Sequence, residues 1–87
     1  MGQDDKARSD VEVELALKLL ELDLEPSLEN QILVLSMLYN KEESVIREWK
    51  RQGPSYYSDQ VAKEAMLRWM YINRQMRKLG RLSAKSY

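Results

Sequence analysis

Paired carboxylates are the side chains in this sequence whose types and spacing come nearest to acid–base catalysis. Glu42 and Glu43 are adjacent, and Glu12 and Glu14 are two residues apart. Residues one or two apart point to different faces of a helix, so neither pair converges on a substrate. The chain has no histidine and no cysteine, and therefore lacks the usual general base and the commonest metal ligands. We predict that the protein is not an enzyme and has no catalytic residue, metal site, cofactor or small-molecule substrate.

Basic side chains near the C-terminus indicate a different chemistry, the neutralisation of nucleic-acid phosphates. At helical spacing Arg74, Lys78 and Arg81 fall on one face with Arg77 beside them, and Lys63 and Arg68 extend the positive surface. A solvated helix face, or cations that complement a helix dipole, would give the same pattern.

Residues 28–52 resemble a helix-turn-helix, the motif that places its second helix in the major groove of DNA. Leu38 and Val45 stand seven residues apart, which is the spacing at which that motif packs its two helices. The segment departs from the motif at Tyr39 and Asn40, where a turn glycine and an apolar residue are usual. The resemblance and the basic face together give the candidate nucleic-acid-binding residues: Arg47, Lys50, Arg51, Arg74, Arg77, Lys78 and Arg81.

A heptad repeat in the last third of the chain favours protein–protein association instead. Residues 62, 65, 69, 72, 76 and 79 step by three and four positions, with Trp69 near the centre. Tryptophan and methionine are common where helices dock a partner. The candidate partner-binding residues are Ala65, Trp69, Met70, Ile72, Met76 and Leu79. The same seam could also fill the core of the monomer.

Charge is divided unevenly along the chain. Residues 1–44 contain eleven acidic and four basic residues, and residues 45–87 contain ten basic and three acidic residues. The halves therefore carry net charges of −7 and +7, which cancel. Such a division indicates either a charged partner or pairing between the halves. We expect the first and last helices to supply the complementary surfaces, within one chain or between copies.

Four helices are predicted to carry these residues. They cover about 9–22, 26–40, 41–52 and 58–79. The predicted helix starts are capping boxes at Ser9 with Glu12 and at Asn40 with Glu43, and an N-cap at Ser58. The predicted helix ends are at Gly53 and Gly80.

Two of these assignments have alternatives. The apolar alternation over residues 11–19 has the period of a strand, although its Leu, Ala, Glu and Lys content favours a helix. Residues 26–52 could also form one long helix. Because the first helix is apolar on two sides, it should be buried on more than one face or lie at a subunit contact.

These patterns predict an all-α protein, a small four-helix bundle or an orthogonal helical array with short loops. Residues 1–8 are assigned to a flexible N-terminal segment, 9–80 to one helical domain and 81–87 to a short polar tail. With no signal segment and no apolar run of about 20 residues, we expect a cytoplasmic protein that does not bind membranes. The favoured function is a non-catalytic adaptor or regulator that self-associates or docks a protein. The alternative is a small DNA- or RNA-binding regulator.

Overall fold

Three α-helices make up most of the computed structural model, which describes residues 3–85. Helix α1 spans Gln3–Glu21, α2 spans Leu28–Gln52 and α3 spans Asp59–Lys85, with a short 3-10 turn at Gly53–Ser55 between the last two. No strand occurs in this range, so the all-α prediction is confirmed and the first helix is not a strand. Residues 1 and 2 of the predicted N-terminal segment, and 86 and 87 of the predicted tail, lie outside the described residues.

The predicted break between the second and third helices is wrong. Helix α2 continues through Asn40, so the capping box expected between Asn40 and Glu43 is not formed. Glu42, two residues after Asn40, is buried and bonded to Arg68 of α3, and this contact holds the region of the predicted break against the bundle. Over residues 3–85 the bundle has three helices instead of four, and residues 28–52 contain no helix-turn-helix.

Two other predicted helix ends also lie elsewhere. Helix α1 begins at Gln3, so Ser9 is an internal helical residue and not an N-cap. Helix α3 continues past Gly80 to Lys85. Gly80 lies on an exposed face where a Cβ atom would meet nothing within 4 Å, and its helical backbone needs no special conformation.

Three capping residues define the connections between helices. The Ser27 hydroxyl accepts a hydrogen bond from the Asn30 amide at 3.1 Å and begins α2. The predicted N-cap Ser58 accepts one from the Val61 amide at 3.2 Å, next to the first residue of α3. Gly53 ends α2 with a φ of 77°, a region in which glycine is favoured because it has no Cβ.

The helices run up, down and up, so that α1 and α3 are parallel and α2 is antiparallel to both. Contacts between α1 and α3 advance together along the two helices, from Lys6 with Glu64 to Glu12 with Tyr71. Where the helices meet, the core consists of Val11, Leu19, Val34, Leu35, Leu38, Ile72 and Leu79.

One buried ion pair crosses this core. Glu42 is 3% exposed and is the one buried charged side chain among the residues described. Arg68 donates to it twice, from Nε at 2.8 Å and from Nη2 at 3.1 Å. Its Nη1 lies 4.0 Å from the carboxylate of Asp10 on α1. The hydrogen bond to Glu42 raises the pKa of Arg68. Arg68 thus contacts residues of both other helices. The sequence predicted that Arg68 extends an exposed basic surface, and that prediction is wrong.

Loss of one partner of this pair should destabilise the fold strongly. Arg68→Met leaves Glu42 buried without its cation, and we expect the free energy of unfolding to fall by about 3–5 kcal/mol. Replacing both residues by Met should recover most of the loss, because apolar side chains of similar volume are tolerated at buried ion-pair sites. Urea denaturation measures both effects.

The matched control is Arg47→Met, which breaks the exposed pair between Arg47 and Glu43. It should cost less than about 1 kcal/mol. A double variant as unstable as Arg68→Met would contradict the role assigned to the buried pair.

Candidate protein-docking site

The outer face of α1 is apolar although it points away from the core. Val13, Leu17 and Leu20 are 54%, 59% and 78% exposed, and the exposed Ala16 lies among them. Residues spaced by three and four positions follow one line along a helix, so the four side chains form a row, here called the α1 stripe. Single exposed leucines are normal on protein surfaces, whereas a contiguous apolar row is typical of a docking surface.

The opposite face of α1 fixes the helix in the bundle. Ala7, Val11 and Leu19 are buried. Polar contacts to α3 add to this packing, since Lys6 lies 2.8 Å from Glu64 and the hydrogen bond between them lowers the pKa of Glu64. The two-sided apolar pattern in the sequence therefore reflects one face used inside the chain and one left open.

Acidic side chains border the α1 stripe. Glu14 and Glu21 lie along one edge, and each is 3.4 Å from a lysine, Lys41 and Lys18 respectively. Exposed pairs of this length contribute about 0–1 kcal/mol, which leaves both carboxylates available to a partner's cation. Four acidic residues and one basic residue fall within 10–21, so the stripe lies in a negative field.

A groove between α2 and α3 forms a concave surface elsewhere on the bundle. Its volume is about 370 Å³, and its walls are largely apolar. The residues that line this α2–α3 groove are Glu43, Ile46, Arg47, Lys50, Met66 and Trp69. The Trp69 ring packs against Tyr39 with 5.4 Å between ring centres, and its buried Nε1 has no hydrogen-bond partner among residues 3–85. Trp69 therefore presents an apolar wall whose one polar atom is unsatisfied.

The heptad residues predicted to bind a partner mostly face inward. Ala65, Ile72 and Leu79 are buried in the chain's own core, Trp69 and Met76 are half-buried, and Met70 is exposed. The seam thus holds α3 against its neighbours, which is the alternative the sequence left open. A heptad spacing does not separate the two cases, because a helix that packs inside a bundle and one that packs between molecules need the same row of side chains.

The basic residues predicted to bind nucleic acid fall into two groups. Arg47 lies 2.7 Å from Glu43, and Arg51 lies 3.0 Å from Glu48, so both arginines are paired with acids on their own helix. The hydrogen bonds from Gln52 and Arg51 also lower the pKa of Glu48. The second group is exposed and makes no ion pair within residues 3–85: Lys50, Arg74, Arg77, Lys78 and Arg81.

The candidate docking residues on α1 were not identified from the sequence. The signal that could have found them is the pair of apolar rows within 7–20, of which 7, 11, 15 and 19 form the inner row and 13, 17 and 20 the outer. Both rows have helical spacing, and only the packing of the other helices shows which is covered.

Within residues 3–85 no group of three or more acidic side chains is arranged to hold a metal ion. None of the three helices, over the part of the chain described, is long and apolar enough to cross a membrane. No known protein family, curated protein or solved structure matches this chain.

Truncating neighbouring leucines on the two faces of α1 should have very unequal consequences for stability. Leu19 is 7% exposed, and Leu19→Ala should lower the free energy of unfolding by about 2–5 kcal/mol through loss of packing and the cavity it leaves. Leu20→Ala removes an exposed side chain and should change it by less than about 0.5 kcal/mol. Urea denaturation distinguishes the two. Equal losses would mean that the outer face of α1 is covered within the chain.

Proposed function

We propose that this protein is a non-catalytic three-helix adaptor that binds another protein through the α1 stripe. The observation that carries the proposal is the exposure of Val13, Leu17 and Leu20 on a helix whose opposite face is buried in the core. Covering such a row gains about 25 cal/mol for each Å² of apolar surface removed from water.

The rigidity of α1 supports the same function. The helix is held at several levels, including Lys6 with Glu64 at 2.8 Å and Glu12 with the Tyr71 hydroxyl at 3.1 Å. Burial and the bond to Glu12 raise the pKa of Tyr71, which keeps this phenol protonated as the donor. A helix that is already formed and anchored loses little conformational entropy on binding, and more of the contact energy appears as affinity.

The partner's chemistry follows from the surroundings of the stripe. One short helix face is smaller than the roughly 800 Å² per partner of a standard interface, so the partner must also contact the flanking residues. Those flanks include Glu14 and Glu21. A concave apolar surface with a basic rim would cover the stripe and complement its charge.

A charged substitution in the stripe should weaken association strongly while the fold is retained. Leu17→Glu places a charge where apolar contact is needed, and we expect it to weaken binding about tenfold or more. The matched control is Leu33→Glu on α2, because Leu33 is 53% exposed. Affinity purification from cells, with sedimentation of the purified proteins, compares the two variants with the wild type.

We expect the proteins retained by the wild type and by Leu33→Glu, including further copies of the chain, to be lost from Leu17→Glu. Equal retention by all three would remove the α1 stripe as the docking surface.

A second candidate function, non-sequence-specific binding of nucleic acid, is favoured by the unpaired cations on the outer face of α3. Arg74, Arg77, Lys78 and Arg81 lie there without carboxylate partners among residues 3–85. Because residues 28–52 form one continuous helix and not a helix-turn-helix, this face would contact phosphates and would not read base edges.

Salt dependence tests this second function. Fluorescence anisotropy with labelled single- and double-stranded oligonucleotides should show binding that weakens steeply with salt. Arg74→Gln with Lys78→Gln should reduce the slope of log K against log salt by about 2, since each phosphate contact contributes about 0.9 on duplex DNA. Arg47→Gln, which removes an arginine already paired with Glu43, is the control. No binding at about 50 mM salt, where phosphate contacts are strong, would end the proposal.

A further inference from the structure

We infer that the partner of the α1 stripe is the α2–α3 groove of a second copy of this protein. The inference rests on the proposed function, because it names what covers the stripe. In this contact α1 of one molecule lies between α2 and α3 of the next, with Leu17 near the middle of the buried row. Each copy carries one stripe and one groove, so the two surfaces meet head to tail.

The two surfaces have matching length and spacing. The groove residues on α2 stand at positions 43, 46, 47 and 50, and the stripe residues stand at 13, 16, 17 and 20. Both sets follow the same i, i+3, i+4, i+7 pattern. At about 1.5 Å per residue, each spans roughly 10 Å of helix. Helices with side-chain rows of equal period can interdigitate, as ridges of one fill grooves of the other.

The apolar surfaces also complement each other. The groove has a volume of about 370 Å³ and offers Ile46, Met66 and Trp69 to an incoming side chain. Methionine adapts its shape to a partner, and tryptophan is among the residues that contribute most at interfaces. Leu17 and Leu20 are of the size and polarity that such a groove takes.

Charge complementarity favours this groove as the occupied site. Lys50 stands on its rim with no ion-pair partner among the residues described, whereas Glu14 and Glu21 edge the stripe and hold their lysines only at 3.4 Å. Docking brings acidic edge and basic rim together. Packing two stripes against each other would instead set these glutamates against their own copies, which is unfavourable in paired helices.

A head-to-tail contact can be tested by complementation, because its two halves can be damaged separately. Leu17→Glu spoils the stripe and keeps the groove, whereas Lys50→Glu spoils the groove rim and keeps the stripe. Both positions are exposed, so both variants should fold, and their urea midpoints establish this. Lys63→Glu makes the same charge change on an exposed lysine of α3 outside the groove and is the control.

Sedimentation velocity at low salt should show that the wild type and Lys63→Glu associate as concentration rises. Each of the other two variants alone should associate about tenfold or more weakly than the wild type. A mixture of Leu17→Glu and Lys50→Glu should form a one-to-one complex, since the stripe of the second fits the groove of the first.

Three results would overturn the inference. A wild type that is monomeric at every protein and salt concentration excludes self-docking. The proposed function then stands only if the wild type retains another protein that Leu17→Glu does not retain. Loss of association in Leu17→Glu together with normal association in Lys50→Glu shows that the stripe binds something other than this groove. Self-association that survives Leu17→Glu shows that the copies meet through another surface, and the proposed function fails as well if Leu17→Glu also retains every protein that the wild type retains.

Discussion

The guanidinium of Arg68 sets the register of the whole bundle. A carboxylate as deeply buried as that of Glu42 requires a cation, and Arg68 supplies it with two hydrogen bonds at 2.8 and 3.1 Å. This pair ties α2 to α3 two residues beyond Asn40, where the sequence predicted a break. The remaining nitrogen of Arg68 reaches toward Asp10, which places α1 over the same level of α3. Because these contacts determine which face of α1 is buried, they also determine which face is exposed.

This internal pairing uses only a small part of the charge that divides the two halves of the sequence. Arg68 with Glu42 and Asp10 joins basic and acidic halves as the division suggested, but Lys6 with Glu64 joins them with the opposite sign. Acidic residues remain on the exposed side of α1, and basic ones on the exposed side of α3 and at Lys50. Surfaces that point outward in different directions on one molecule cannot neutralise each other, so the remaining charge is exposed on the free molecule.

Sequence patterns predicted the local backbone structure better than they predicted which side chains contact each other in the fold. The helical class, the N-cap at Ser58 and the positive φ at Gly53 follow from local chemistry and were predicted. The continuity of α2 was left as the alternative to a break, because Asn40 and Glu43 match a capping box and also fit positions inside a long helix. The residues around Glu42 in the sequence do not indicate that it is buried, because its partner Arg68 lies 26 residues away.

The candidate docking site shows the same limit of prediction from sequence. The two apolar faces of α1 were evident from residue spacing, but spacing does not tell the face inside the bundle from the one outside. For α3 the heptad spacing favoured a partner-binding surface, whereas the structure places Ala65 and Ile72 in the core of the bundle. Which face of α1 is exposed depends on the number of helices. The three helices of residues 3–85 leave the outer side of α1 without a neighbour.

Amide chemical shifts recorded on dilution of the isotope-labelled protein test most directly whether the α1 stripe is a docking surface. We expect concentration-dependent shifts at residues 13–20 and, if the stripe docks in the groove, at 43–50 and 66–69 with the Trp69 indole, while residues 74–81 on the outer face of α3 stay constant. If no amide of residues 13–20 shifts, either on concentration or on addition of a protein that co-purifies with the chain, the outer face of α1 is not a binding surface.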